Sequence, residues 1–267
     1  QFRDYTIKIF VRPPAKDSNE PIVTSWKGVR KEQGKFKLEA KEGSIRANQV
    51  IGILGENGIG KTTFAKLLAH VDKPSAGEVD EKITVAYKPQ YLDSQSTSLV
   101  MDVLGDAMTR YEVQLARPLD LKPLLTKQLN QLSGGELQRV AIAATLAKEA
   151  DLYLLDEPSA YLDVEQRMII SKTIKELTEQ RGKPVLVIDH DLMFMDHLSD
   201  QLIVFTGTPA IHGDAIGPFP MEKGMNIFLE GIALTFRRDE DSHRPRLNKP
   251  GSVADREQKA EHKMYYG

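Results

Sequence analysis

The run Val50-Ile51-Gly52-Ile53-Leu54 carries no polar side chain, and it opens directly onto Gly55-Glu56-Asn57-Gly58-Ile59-Gly60-Lys61-Thr62. A continuous apolar run of this length reads as a strand buried on both faces, as in a parallel sheet. The eight residues after it fit the phosphate-loop pattern G-x-x-x-x-G-K-[ST]. Helical spacing follows over Thr62–His70, with Phe64, Leu67 and Leu68 on one side. Few folds accept a buried strand, a glycine loop and a helix in that order. The glycines let successive N–H groups face phosphate oxygens, and the helix N-terminus adds positive potential. Lys61 is expected to reach the β- and γ-phosphates, and the Thr62 hydroxyl to ligate Mg²⁺. Gly55, Asn57, Gly58, Gly60, Lys61, Thr62 and Thr63 are the predicted nucleotide-binding residues of this loop, with ATP and Mg²⁺ the expected cofactors.

The rest of the chain repeats the alternation. Strands are expected at Tyr5–Val11, Phe36–Ala40, Val85–Tyr87, Leu152–Leu155 and Val185–Ile188. Phe36–Ala40 alternates with period two, as a half-exposed antiparallel strand does, and Gly43 is read as a turn. Helices are expected at Gly135–Lys148, Val164–Gln180 and Met225–Gly231, with a broken helical stretch from Leu99 to Leu129 interrupted at Pro118 and Pro123. The fold class predicted is α/β, a mainly parallel core sheet with an antiparallel β subdomain and a helical insert at about 91–145. Three regions are expected: an N-terminal hinge segment over 1–25, a nucleotide-binding domain over 26–205, and a C-terminal extension and hinge over 206–267. Glycines and prolines thicken after residue 205. The tail Arg237–Gly267 is so charged that composition alone places it among disordered segments.

Tyr153-Leu154-Leu155-Asp156-Glu157 places two carboxylates at the end of a buried strand, where open α/β sheets bind ligands. Asp156 is the candidate Mg²⁺ ligand, and Glu157 the residue that orients or deprotonates the attacking water. His190, just past Val185–Ile188, is a candidate contact for the γ-phosphate and that water; alone it would read as a structural histidine at a strand end, but the surrounding motifs favour the contact. Gln90 is a candidate ligand for Mg²⁺ or water through its amide oxygen, or else a solvated loop residue. Ser133-Gly134-Gly135-Glu136 reads as a serine-capped helix start, and the same free N–H groups suit a phosphate. Asp163 is a helix cap or an interface residue. For the adenine ring, Phe36 is the first candidate and Trp26 the second, although either can be core packing.

A formal net charge of −2 on 267 residues gives no global case for nucleic-acid binding. The absence of cysteine leaves no Cys-ligated iron–sulfur cluster in this chain and fits a reducing compartment. No apolar run reaches bilayer length. The chain begins with Gln1, which suggests a piece of something longer.

Leu132-Ser133-Gly134-Gly135-Glu136 ahead of the Asp156-Glu157 strand resembles the signature of the ATP-binding-cassette (ABC) ATPases, and the likeness covers residues from about 30 to 205. It implies that Ser133 and Gly135 contact a nucleotide held by another cassette, since the signature lies far from its own phosphate loop in that fold. Ser159-Ala160-Tyr161-Leu162-Asp163, Tyr87-Lys88-Pro89-Gln90-Tyr91, Ile188-Asp189-His190-Asp191 and Arg244-Pro245-Arg246-Leu247-Asn248-Lys249-Pro250 narrow it further. Together they are similar to the second nucleotide-binding domain of the ABC-E ribosome-recycling ATPases, also called RNase L inhibitors, the archaeal form above all. That likeness spans nearly the whole chain and departs at Glu56, where many members have proline. It implies an ATPase, weak when isolated, in a cytoplasmic protein with no membrane domain. It also implies a first cassette of the same parent chain as partner, together with the ribosomal small subunit and release-factor-like proteins. Arg244, Arg246 and Lys249 become candidates for a packed hinge. Weak pairing of two copies of this chain stays open. An ABC-F translation factor, an ABC transporter cassette and a non-catalytic nucleotide-binding module are the alternatives.

Overall fold

The computed structural model describes residues 19–265 other than 81–82, 91–92, 106 and 240–244. The strand expected at Tyr5–Val11, most of the 1–25 segment, Tyr91 and Arg244 lie outside the described residues. Strands β1 (Ile22–Gln33), β2 (Phe36–Arg46) and β3 (Val50–Leu54) lead into helix α1 (Lys61–Leu68). Then come β4 (Ala76–Val79), β5 (Val85–Lys88) and the short helices α2 (Val100–Leu104) and α3 (Ala107–Arg110). Helix α4 (Gly134–Leu146), β6 (Leu152–Asp156), α5 (Val164–Arg181), β7 (Val185–Ile188) and α6 (Leu192–Leu198) follow. The chain continues through β8 (Gln201–Thr208), β9 (His212–Pro220), α7 (Met221–Gly231), β10 (Phe236–Arg238), β11 (Pro245–Leu247) and α8 (Val253–Ala260).

Nine strands form one sheet in the order β4-β1-β2-β9-β8-β3-β7-β6-β5. From β8 to β5 every pairing is parallel. Every residue of β3, β6 and β7 is buried, because both faces of this half are covered. Ile51, Ile53, Leu154 and Ile188 pack with Phe64, Leu67 and Leu68 of α1. Val50, Leu54, Leu155 and Val187 pack on the opposite side with residues of α4, α5 and α6. The phosphate loop, Gln90, Asp156 and His190 therefore all leave the carboxyl edge of adjacent parallel strands, as the sequence pattern requires.

The other half is antiparallel at β1–β2 and β1–β4. Gly43 does not turn the chain. It sits inside β2 opposite Trp26, and a Cβ there would stand 2.2 Å from the indole. The glycine is needed to seat the ring, which a pattern reading mistakes for a break. The chain turns instead at Asn48, in the left-handed region at φ 58°. Sequence reading also missed β1, β4, β8 and β9. The sheet continues to Pro220, so the change of texture at residue 205 falls inside β8. The insert is helical but broken: α2 and α3, a π turn at Glu112–Ala116, and 3₁₀ turns at Lys122–Leu124 and Leu129–Gln131.

Candidate nucleotide site

Gly58 and Gly60 adopt φ of 73° and 99°, a region open to glycine and strained for other residues. They shape the loop from which Lys61 starts α1. Its ammonium donates to the carbonyls of Gly55 and Glu56, each at 2.7 Å. Burial pulls the Lys61 pKa down to about 8, against the opposing pull of Glu157, Asp156 and Glu56. An anionic ligand beside this amine would push that pKa back up.

The Thr62 hydroxyl donates to Asp156 Oδ2 at 3.0 Å. Burial raises the Asp156 pKa, and the Glu157 charge adds to the rise, while Thr62, Lys88 and Tyr87 oppose it. Glu157 sits at φ 49°, held by its N–H to the Ile188 carbonyl at 2.8 Å. Its Oε1 accepts from Gln90 Nε2 at 2.8 Å and meets His190 Nε2 at 3.0 Å. A carboxylate oxygen accepts, and an N–H at His190 Nε2 suits this contact. With Nε2 engaged, the Gln90 amide oxygen is the group left for a metal.

Every residue predicted for this half of the site, save Gly55, lines one cavity of about 770 Å³. Gly55 lies beneath the loop, where a Cβ would stand 2.6 Å from Phe205 Cβ. Phe36 borders the cavity and its ring abuts Gly60, where a Cβ would come within 2.8 Å of Cζ. Trp26 does not: it is 3% exposed and packs edge-on against Phe64, with ring centroids 5.2 Å apart. It is a core residue, and the second adenine candidate is withdrawn.

The fit to a magnesium nucleotide is good. Backbone N–H groups and Lys61 suit phosphates, and Thr62, Asp156 and Gln90 supply three oxygens. No cluster of three or more His, Cys, Asp or Glu able to hold a metal occurs among the described residues. Mg²⁺ is commonly shared between one or two carboxylates and substrate phosphates.

Ser133 and Gly135 line a separate cavity of about 430 Å³, with Tyr161 and Asp163 on its wall. The two cavities share no lining residue. Ser133 Oγ accepts from Glu136 N at 3.3 Å, while Glu136 Oε2 accepts from Ser133 N at 2.8 Å, a complete capping box. The Lys127 ammonium and those cap bonds hold the Glu136 carboxyl down to about 2. Asp163 caps α5 by accepting from Gln166 N at 2.8 Å. Both structural readings are therefore present, beside an open cavity.

Sequence reasoning gave no role to three side chains that tie the site together. Gln138 on α4 donates to the Glu157 carbonyl at 2.7 Å. Buried Asp189 accepts from Ser159 Oγ at 2.8 Å and from His190 N at 2.8 Å. Lys88 donates to the Asp156 carbonyl at 2.7 Å. The signal for Lys88 was a lysine closing a strand with a buried periodicity, and for the others none stood out.

A family model described as ABC transporter matches residues 38–160. An uncharacterized ABC transporter ATP-binding protein of Methanocaldococcus jannaschii is 46% identical over all of this chain and 45% of its own length. ABC transporter E family member 3 of Arabidopsis thaliana is 40% identical over 60% of this chain and 94% of its own. The model of ribosome-bound archaeal Pelota and ABCE1 superposes with a TM-score of 0.94 at 48% identity, covering all of this chain and 46% of that one. The chain spans about half the length of several of the curated relatives it matches. Among the described residues, no helix is long and apolar enough to cross a membrane.

Proposed function

Because this chain belongs to the ABC-E family of ATPases, we propose that it is the Mg-ATP-binding and hydrolysing cassette of a twin-cassette protein that splits ribosomes into subunits. The observation that carries this reading is the separation of two complementary half-sites on one chain. One cavity holds the phosphate loop and carboxylates, and the other holds the Ser133–Gly135 helix start. Neither is a complete ATP site, so each calls for the other half from a second cassette of the same parent chain. The cassette extends to residue 220, because β9 lies inside its sheet. Residues 221–267 form its extension and hinge.

In this centre the loop N–H groups and Lys61 hold the phosphates. Thr62, Asp156 and Gln90 would hold Mg²⁺, which supplies neutralising charge on phosphate oxygens. Glu157, fixed through Oε1 by Gln90 and His190, takes the proton of a water that attacks the γ-phosphorus. The bond to the ADP oxygen breaks as the new one forms, and His190 offers a donor to the developing charge. Phe36 stacks on adenine. Ser133 and Gly135 bind the γ-phosphate held by the partner cassette. Closure of the two cassettes around two ATP molecules drives subunit separation, and hydrolysis reopens them. The likeness to a ribosome-bound assembly with Pelota supports the ribosome and a Pelota-like protein as partners, and the ribosomal small subunit, a release-factor-like protein and a cytoplasmic location are part of the same proposal.

Ser133→Arg tests the half-site reading. The variant of this chain should bind ATP as tightly as wild type yet fail to pair with the first cassette on addition of ATP, followed by sedimentation. Loss of ATP binding by the isolated variant would count against action in trans. Retained ATP-driven pairing would do the same.

A further inference from the structure

Lys88 closes β5 with 1% of its surface exposed. An amine so enclosed is costly unless its donors are satisfied. Its Nζ donates to the Asp156 carbonyl at 2.7 Å and to the Pro89 carbonyl at 3.1 Å. Pro89 is the residue before Gln90, and Asp156 is the residue before Glu157. Those two following side chains bond each other, Gln90 Nε2 to Glu157 Oε1 at 2.8 Å. One amine thus grips both backbones immediately upstream of a catalytic pair.

The strand pairing explains why a grip is needed there. The β5–β6 ladder ends at the pair Lys88–Leu155. Pro89 has no N–H and cannot extend it. Beyond that pair the sheet no longer fixes the distance between the two chain segments, yet Gln90 and Glu157 must meet within hydrogen-bond reach. Lys88 does not line the nucleotide cavity, so any influence on ATP passes through its neighbours.

Resting on the reading of this centre as an ATPase site, we propose that Lys88 is a positioning residue, its amine standing in for the missing next rung of the ladder and setting Gln90 against Glu157 for hydrolysis. The role differs from that of Lys61, which faces phosphate. It also differs from that of a core residue, which could be apolar without loss of turnover.

Lys88→Met keeps the length of the side chain and removes both donors. The test is run in the full-length twin-cassette protein with the companion site's catalytic carboxylate replaced by an amide, so that only this site turns over. Lys88→Met should lower kcat at least about tenfold while KM for ATP stays within about threefold, the split expected for loss of an interaction that matters only in the transition state. In a Gln90→Ala background the same substitution should add little, because both act on one contact. Lys88→Gln, a shorter donor, should fall between, and it carries the same comparison if Lys88→Met does not fold. Wild-type kcat in the folded Lys88→Met variant, or full additivity with Gln90→Ala, would overturn this role alone. A wild-type protein without magnesium-dependent turnover would overturn the ATPase reading and this role with it.

Discussion

Substituting Gly213 by alanine tests whether the β8–β9 hairpin, which sequence reading missed, braces the phosphate loop. A Cβ on Gly213 would stand 2.0 Å from the Ile59 carbonyl oxygen and 3.1 Å from its carbon. Carbon–oxygen contacts normally close at about 3.3 Å, so strand and loop must part by about 1.3 Å. Both sides of this contact are backbone, and neither can rotate away. The hairpin is pinned to the loop a second time, by Ala210 N donating to the Gly58 carbonyl at 2.9 Å. Overpacking of this kind costs about 1–3 kcal/mol. If the loop yields, ATP affinity falls by about 5- to 150-fold, since each 1.4 kcal/mol is tenfold. If the strand yields, its pairing with β8 and β2 weakens and Tm falls by about 2–12 °C. Equilibrium ATP binding and thermal denaturation on the same preparations read both. Gly231→Ala, where the added methyl meets nothing within 4 Å, serves as the control. Gly213→Ala matching that control in both Tm and ATP affinity would refute the bracing argument.

Glu157→Gln should retain ATP binding, because Thr62 and Asp156 are untouched, and slow hydrolysis by about 10²- to 10⁴-fold. Wild-type turnover would remove Glu157 from the role of base. Phe36→Ala should weaken ATP by about 1–3 kcal/mol through lost stacking on the base. Trp26→Ala should instead cost about 3–5 kcal/mol of folding stability with affinity unchanged in the surviving folded fraction, and calorimetry separates the two. The pH dependence of stability carries a contribution from Glu136. Its folded pKa is depressed from 4.5 to about 2, so the stabilisation is present above pH 4.5 and is lost as pH falls toward 2. The Tm gap between wild type and Glu136→Gln should narrow over that window, and a gap independent of pH would exclude the charge as its cause.

Much of the phosphate-binding half was legible because its chemistry is contiguous. Gly55 to Thr63 follow a buried strand, and Asp156-Glu157 end one. Gln90 and His190 were legible only as positions after further buried strands. What escaped were contacts set by tertiary approach. Gly43 looked like a turn because a missing side chain has the same sequence appearance whether it frees the backbone or admits the Trp26 ring. The β8–β9 hairpin was hidden by its own glycines. Gly213 is forced by the nearness of Ile59, and Gly207 by the His212 carbonyl oxygen, 2.3 Å from where a Cβ would stand. Both requirements lower the apparent strand propensity of residues that nonetheless complete the sheet.

The tail marks the limit of hydropathy as a guide. Composition places Arg237–Gly267 among disordered segments, whereas the resemblance to ABC-E implied a packed hinge. Met264 and Tyr265 join the apolar core, with the Tyr265 ring stacked on Phe236, and beside them lies a cluster of polar groups that extends back to Thr235. Thr235, Asn248, Asp255 and Gln258 are all buried. Thr235 Oγ1 donates to Asp255 Oδ1 at 2.7 Å, and Asn248 Nδ2 donates to Thr235 Oγ1 at 2.9 Å. Such a network is stable only when its members are satisfied, so it leaves no apolar periodicity to detect. Arg246 and Lys249, candidates for a packed hinge, are exposed within this chain. The same tail is fastened to the catalytic half. Arg238 and the Tyr265 hydroxyl each reach a carboxylate oxygen of Asp196, at 2.5 Å in both cases. Asp196 is buried on α6, the helix that begins directly after His190 and Asp191. Losing one partner of a buried carboxylate leaves charge uncompensated. A displacement of the tail is therefore resisted at α6, within one helix of His190, whose Nε2 meets Glu157 Oε1 at 3.0 Å.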